Sequence, residues 1–142
     1  MLTRLIRLET KDRVLLLAGL VWVLTARAAL LLPARSFDRK RLVLDALASR
    51  FPRIRSCTVG DAAWAVSAVA RRVPRTRCLA WALALRGMLL QAGISTELRI
   101  GVAAGNAREL KAHAWLHHDG RTLSWGDDID GYSVLQPRAM IS

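Results

Sequence analysis

The apolar residues of this 142-residue chain change their spacing at Gly93, and this change does most to restrict the fold. Before Gly93 they recur at intervals of three and four, which is typical of helices packed on a core. Between Thr96 and Val102, and again from about Leu110 to His118, they alternate with other residues, which is typical of half-buried strands. The sequence therefore predicts an α+β fold in which N-terminal helices precede a small antiparallel sheet.

Helical spacing before Gly93 predicts four helices: one in the N-terminal part to about Leu32, which contains the apolar run from Val14 to Leu24, and three over Arg39 to Ser49, Ala62 to Arg72 and Leu79 to Gln91. We expect Asp61 to be the N-cap of the third helix and Trp64 to lie in the core. Gly93 follows the fourth helix at the position where glycine commonly ends one. Cys78 is then placed in the first turn of that fourth helix.

The strands after Gly93 are predicted to form a three-stranded meander, in which Arg121 to Trp125 is the last strand. Gly105-Asn106 marks the first turn. Asp119-Gly120 marks the second turn, because this dipeptide is a strong hairpin signal.

Length and cysteine content limit the class of protein. A chain of 142 residues is predicted to form one domain. Its two cysteines, Cys57 and Cys78, form no C-x-x-C pair and no disulfide framework, so a reducing, intracellular setting fits best.

The charge balance is strongly basic, with 22 Lys and Arg against 11 Asp and Glu. Such a chain attracts acidic peptides, nucleic acid or an anionic membrane. A basic nucleic-acid-binding or scaffold module without catalysis is therefore the main alternative interpretation, with Arg50, Arg53, Arg55 and the cluster from Arg71 to Arg77 as its contacts. We favour it less, because the aromatic residues are not interleaved with the basic ones as in a stacking surface.

The first helix could be mistaken for a membrane span. Arg13 and Arg27 bracket thirteen uncharged residues, whereas a spanning helix needs about 20. We therefore expect this helix to pack on the domain or on a partner. Attachment to a membrane surface is the second interpretation and a signal peptide the third.

Cys78 is the candidate nucleophile. A thiol reacts as its thiolate, and a helix N-terminus supplies oriented dipoles that stabilise this anion. Nearby arginines would add to that effect and could also bind acidic groups of a substrate: Arg71, Arg72, Arg75 and Arg77. The competing interpretation is a small buried cysteine with no chemical role.

Among the histidines, His113 is the best candidate for a general base. It shares one strand face with His117, whereas His118 lies on the other face. The small neighbours of His113 would let its ring reach across the sheet to the helix, while His117 and His118 flank the turn. A zinc site is disfavoured, since His113 and His117 would lie roughly 13 Å apart on a strand.

A carboxylate that orients the histidine is expected on the returning strand. If the Asp119-Gly120 turn is a three-residue loop with a bulge, Asp127 lies directly opposite His113. We choose Asp127, with Asp128 as the reserve.

A cysteine at a helix start, a histidine on a strand and an aspartate on the next strand thus follow one another along the chain. In this order, the chain resembles the transglutaminase-like B protein of lasso-peptide biosynthesis. The segments that carry the resemblance are RCLAWALALR at Arg77–Arg86, Gly93-Ile94, LRIGV at Leu98–Val102 and His113-Ala114-Trp115. The resemblance implies a transglutaminase- or papain-like catalytic core over 73–136 and a mainly helical part over 1–72, within one domain of 142 residues.

The resemblance also implies an activity. The chain would be a cysteine peptidase that hydrolyses a lasso-peptide precursor at the junction of leader and core, before macrolactam cyclisation. Cys78 would be the nucleophile, His113 the general base and acid, and Asp127 the orienting carboxylate. No metal or organic cofactor would be required. Acyl transfer to an amine is a related reaction that the same three residues could perform.

The partners implied by the resemblance are the precursor peptide, a separate winged-helix protein that holds the leader, and the lasso cyclase. Since nothing before Pro33 has the strand pattern of a winged-helix domain, the chain looks like the split form of the family. A cytoplasmic location is expected, with peripheral membrane contact through the N-terminal helix as an alternative to docking on a partner.

Overall fold

The computed structural model describes residues 10–31, 37–54, 57–74, 76–104, 110–125 and 133–134. Over these residues the chain forms helices α1 (Thr10–Leu31), α2 (Phe37–Arg50), α3 (Val59–Ala70) and α4 (Cys78–Gln91). The strands that follow are β1 (Glu97–Ala104), β2 (Leu110–His118), β3 (Arg121–Leu123) and β4 (Ser133–Val134). The predicted α+β class is confirmed, and so are the four predicted helices.

Helix α4 is the central element of the core. Apolar and small residues occupy most of its positions, so it can be buried on several sides at once. Helices α1, α2 and α3 pack against it, and β2 packs against it as well. Gly87 allows the closest approach, because a Cβ atom at this position would lie 2.4 Å from the ring of Trp22 on α1.

Helix α4 ends at Gln91, and Gly93 follows it at the predicted terminating position. Gly93 adopts a φ of +83°, a conformation that side chains with a Cβ rarely adopt. Its N–H donates to the carbonyl of Leu90, and the Ile94 N–H donates to the carbonyl of Leu89. These two hydrogen bonds form a Schellman motif, which satisfies carbonyls at the end of the helix.

Helix α1 ends at Leu31, close to the predicted end of the N-terminal helical part at about Leu32. It has 22 residues, and by length and composition it is apolar enough to cross a membrane. The argument that it is too short to span is therefore wrong, because the helix continues past Arg13 and Arg27. One face, which includes Leu15 and Trp22, is buried. Since α1 packs on α3 and α4, it is a helix packed on the domain, as expected.

Two predictions about helix α3 are wrong. Thr58, not Asp61, is the N-cap, and Asp61 occupies the third helical position in a reciprocal capping box. Trp64 was expected in the core, but its exposed fraction is 44%. The buried face instead contains Ala62 and Ala65, since α1 approaches so closely that a Cβ on Gly19 would lie 3.2 Å from the Ala65 backbone.

The sheet is antiparallel, with the strand order β3-β2-β1-β4. The predicted meander of three strands is confirmed, and the short strand β4 pairs with the free edge of β1. His118 pairs with Arg121 across the second turn, so the turn has two residues. Asp119 and Gly120 both have positive φ, as a type I′ turn requires. The expected three-residue loop with a bulge is therefore wrong, and the predicted turn at 105–106 lies outside the described residues.

Candidate active site

Cys78 is the first residue of α4, as the sequence predicted. Arg77, in extended conformation, is the N-cap residue, and its side chain makes no capping hydrogen bond. The first N–H groups of a helix have no partner within the helix, and no acidic side chain lies in the first turn of α4. A thiolate or a developing oxyanion can therefore accept from this helix start.

The arginines expected around Cys78 differ in their positions and in their hydrogen bonds. Arg77 directly precedes the cysteine. Arg72, in contrast, donates from Nη1 to the carbonyl of Ala68 at 2.9 Å and so satisfies the C-terminal turn of α3. Arg75 lies outside the described residues.

His113 lies on β2 and is buried, with an exposed fraction of 4%. Its Nε2 atom is 2.9 Å from the hydroxyl oxygen of Ser124, the residue that follows β3. Its ring also lies against the indole of Trp115, with 6.0 Å between ring centroids. A histidine held by a hydrogen bond and a ring contact has a restricted orientation, which general base catalysis requires.

His113 shares one face of β2 with Trp115, as the alternation along the strand predicted. Ala114 and Leu116 belong to the hydrophobic core that contains α4, together with Leu98 of β1. Because side chains alternate along a strand, His113 and Trp115 occupy the other face of β2. The core that contains α4 lies on the opposite face, so the ring of His113 does not point directly at this helix, although we expected it to reach across the sheet to the helix.

Two tryptophans connect the start of α4 with the segment that bonds His113. Trp81, one turn after Cys78, stacks on Trp125 with 6.5 Å between ring centroids and 10° between ring planes. Its indole N–H donates to the hydroxyl of Ser67 at 3.0 Å. Trp81 is in the core, as expected. Because Trp125 directly follows Ser124, this stack ties the Ser124 backbone to the helix that begins with Cys78.

The predicted carboxylates lie beyond the part of the chain that the structure describes. Asp127 and its reserve Asp128 fall between Trp125 and β4. The two-residue turn removes the bulge on which the choice of Asp127 depended, so its role stays a prediction. Ser124 is the residue that the sequence argument missed, although its position just after a hairpin with a recognisable turn was a usable signal.

The two other histidines differ from His113 in their surroundings. His118 Nδ1 lies 2.9 Å from the carbonyl of Ser95, to which the ring donates when this nitrogen carries the proton. His117 and His118 flank the turn, as expected, and are half-buried. Among the described residues, no group of three His, Cys, Asp or Glu side chains is placed to hold a metal ion.

The second free cysteine, Cys57, directly precedes the N-cap Thr58 and is half-buried. Burial raises the pKa of its thiol above the ordinary value, and the nearby negative charge of Asp61 raises it further. Both effects disfavour the thiolate. Of the two cysteines, Cys78 is therefore the better candidate nucleophile.

Comparison with known proteins gives one result. A family model described as the transglutaminase-like superfamily matches residues 22–136. The match runs from the middle of α1 past β4, and it confirms the expected transglutaminase-like core. No curated protein and no solved structure matches the chain.

Proposed function

The chain belongs to the transglutaminase-like superfamily, and on that premise we propose that it is a cysteine peptidase that removes the leader from a lasso-peptide precursor. The superfamily suggests chemistry of the cysteine protease or transglutaminase type. The observation that most supports the proposal is Cys78 at a helix start without a side-chain cap, on a helix whose Trp81 stacks on Trp125, next to the Ser124 that contacts His113.

The proposed reaction begins with transfer of the Cys78 thiol proton to His113. The thiolate attacks the carbonyl of the last leader residue, and backbone N–H groups at the start of α4 stabilise the oxyanion. His113 then gives the proton to the departing amine of the core peptide, which leaves a thioester between the leader and Cys78. Water, activated by His113, hydrolyses this thioester and restores the thiol.

Asp127 stays our proposal for the carboxylate that orients His113, with Asp128 as the reserve. A carboxylate near the imidazolium would stabilise the positive charge that forms during acylation. Removal of this carboxylate should lower kcat more than it changes KM.

The outward face of α1 is our proposed docking face for the winged-helix protein that holds the leader. It exposes large apolar side chains along one side of the helix, with exposed fractions of 64% at Leu17 and 49% at Leu24. Isolated surface leucines are ordinary, but a continuous apolar row indicates an interaction surface. We place the protein in the cytoplasm with this partner and the lasso cyclase, and peripheral membrane contact through the same face is the alternative.

Mass spectrometry of a candidate precursor, incubated with this protein and the recognition partner, tests the proposal. We expect cleavage at the junction of leader and core, with a gain of one water across the two products. Cys78→Ala and His113→Ala should both abolish it, while Cys57→Ser should not. Retention of an added amine in the leader product would instead indicate acyl transfer.

Cleavage that persists in Cys78→Ala would refute the proposal. So would the absence of cleavage with every leader supplied together with binding to DNA or RNA that survives Cys78→Ala. That second result would favour the basic binding module, whose affinity should fall steeply as salt is raised.

A further inference from the structure

A hydrogen bond joins the last turn of helix α3 to the first turn of helix α4. The indole N–H of Trp81 donates to the hydroxyl of Ser67 at 3.0 Å. Trp81 lies one turn after Cys78 along α4, and Arg71 lies one turn after Ser67 at the end of α3. Arg71 and Cys78 are therefore each about one helical turn, ~5 Å, from the same hydrogen bond.

Two exposed arginines belong to this junction of α3 and α4. Arg71 directly follows α3, and its N–H donates to the carbonyl of Ser67 at 3.1 Å. Because successive residues of a helix are about 100° apart, Arg71 lies roughly 40° from Ser67 around the axis of α3. Arg77 is the N-cap of α4, and its carbonyl accepts from the Trp81 N–H at 3.0 Å. Both arginines thus lie at the junction that contains Cys78.

The positive charge of these two arginines is not neutralised within the part of the chain that the structure describes. The sequence contains no Asp or Glu between Asp61 and Glu97. The ion pairs formed by the described residues include neither Arg71 nor Arg77. An exposed, uncompensated pair of guanidinium groups beside a thiol attracts an anionic group of an incoming molecule.

Arg72 has different surroundings, although it is the next residue after Arg71 and is also exposed. Its Nη1 donates to the carbonyl of Ala68 at 2.9 Å, which holds the guanidinium against α3. By helical geometry Arg72 lies roughly 140° from Ser67 around the helix axis. It therefore carries the same charge as Arg71 but is directed away from the junction.

We propose that Arg71 and Arg77 form a subsite that binds an acidic side chain of the peptide substrate, close to the bond that Cys78 attacks. A guanidinium group can bind a carboxylate through two parallel hydrogen bonds. One helical turn of about 5 Å corresponds to one or two residues of an extended peptide, which advances about 3.3 Å per residue. The acidic residue is therefore expected within about two residues of the cut. The inference deepens the proposed function and rests on its nucleophile, Cys78.

Two alkylating reagents test this subsite without any peptide. Iodoacetate carries the carboxylate that the subsite would bind, whereas iodoacetamide has the same shape and no charge. The ratio of their rates with Cys78 reports the attraction of the carboxylate, because the reactivity of the thiolate affects both rates alike. The assay uses the full chain with Cys57→Ser, so that only one thiol reacts, and intact-mass spectrometry near neutral pH.

Arg71→Gln and Arg77→Gln should each lower the ratio of the iodoacetate rate to the iodoacetamide rate by about threefold, as for ion pairs of exposed side chains. Arg72→Gln is the matched control, since it removes the same charge one position away, and it should leave the ratio unchanged. The melting temperature of each variant shows whether it is folded as the parent is.

The candidate precursor extends the test to the substrate. Replacement of an acidic residue within about two positions of the cut by its amide should lower kcat/KM of the wild type about threefold, mainly through KM. The same replacement should have little effect in Arg71→Gln, because the partner of that carboxylate is already lost. Arg72→Gln should respond to the replacement as the wild type does.

An unchanged ratio in Arg71→Gln would overturn this inference. An equal fall in Arg72→Gln would also overturn it, since a diffuse basic surface of the kind that attracts nucleic acid would then be responsible. Cleavage that is insensitive to every acidic residue near the cut would overturn it and leave the proposed function standing. A ratio that falls as expected, with no cleavage of any precursor, would support the carboxylate subsite and refute the proposed function.

Discussion

Two helices of this protein begin next to a cysteine, but they differ in their N-caps. The start of α3 is closed, because side chains accept hydrogen bonds from its first N–H groups, whereas the start of α4 is open, because no capping side chain does so. At the start of α3, the Thr58 side chain accepts from the Asp61 N–H at 3.0 Å, and Asp61 accepts from the Thr58 N–H at 3.2 Å. At the start of α4, Arg77 provides no side-chain acceptor. Cys57 precedes the closed helix start, whereas Cys78 is the first residue of the open one.

The difference shows how one structural element can serve stability or chemistry. A capping box stabilises a helix by satisfying backbone N–H groups that would otherwise lack partners. The same groups can stabilise an external anion only if no side chain occupies them. The α3 start is thus built for stability, while the α4 start keeps donors for a thiolate and an oxyanion.

The strongest test of the contrast is to remove each thiol in turn. Cys78→Ala should lower precursor cleavage by about 1000-fold or more, because the nucleophile is lost. Cys57→Ser should leave cleavage within about twofold, since this thiol lies at the closed helix start and takes no part in the proposed reaction. Initial cleavage rates by mass spectrometry measure both effects. An equal loss in the two variants would contradict the contrast.

An N-cap side chain added at the start of α4 should lower the reactivity of Cys78 and raise the stability of the protein. Arg77→Asp supplies a carboxylate cap and removes a cation, so alkylation of Cys78 should slow by about tenfold. Its melting temperature should rise by a few degrees, since an N-cap contributes about 1 kcal/mol. Arg121→Asp, at an exposed position of β3, makes the same change of charge outside the first turn of α4 and should do neither. A faster reaction in Arg77→Asp would show that the open start has no role.

Removal of the N-cap side chain of α3 should lower the stability of the protein and leave its activity unchanged. Thr58→Ala should lower the free energy of unfolding by about 1 kcal/mol, as measured by urea denaturation. Thr58→Ser, which retains the hydroxyl, is the control and should lose little. Precursor cleavage should not change in either variant. A large loss of activity in Thr58→Ala with intact folding would mean that α3 takes part in the site.

The smallest effects concern Asp61. Its hydrogen bonds, first of all the one from the Thr58 N–H, hold its pKa below the ordinary value. Its contribution to stability should therefore be complete above about pH 3.9 and disappear as the pH falls below that value. Asp61→Asn should remove this acid-side dependence in urea unfolding at a series of pH values. Alkylation of Cys57 should also become a few-fold faster, because the Asp61 charge raises the pKa of that thiol. Unchanged profiles would contradict both assignments.

Local patterns were sufficient to predict the elements that carry the site. Helix α4 combines a long apolar stretch with a terminal glycine, and β2 has long alternation followed by a turn dipeptide. Both were placed to within a residue, because these signals do not depend on the rest of the chain. Strand β4 has two residues, too few to show any period.

The wrong predictions depended on packing or on register. Trp64 is exposed because the alanine face of α3 allows α1 to approach, and no property of α3 alone shows this. Thr58 could have been recognised from its spacing of three to Asp61, which is the spacing of a capping box. The Asp119-Gly120 dipeptide favours a two-residue turn, and this register places Ser124, not Asp127, next to the His113 ring.

In the proposed reaction Cys78 and His113 act as a pair, and cross-linking with dibromoacetone would detect this pair. This reagent carries two electrophilic carbons and can bridge a thiol and an imidazole only when they are adjacent. After trypsin cleavage, we predict a bridge between the peptide Cys78–Arg86 and the peptide Ala112–Arg121, with fragmentation assigning it to His113. Attachment to Cys78 without a bridge, or a bridge to His117 or His118, would contradict the claim.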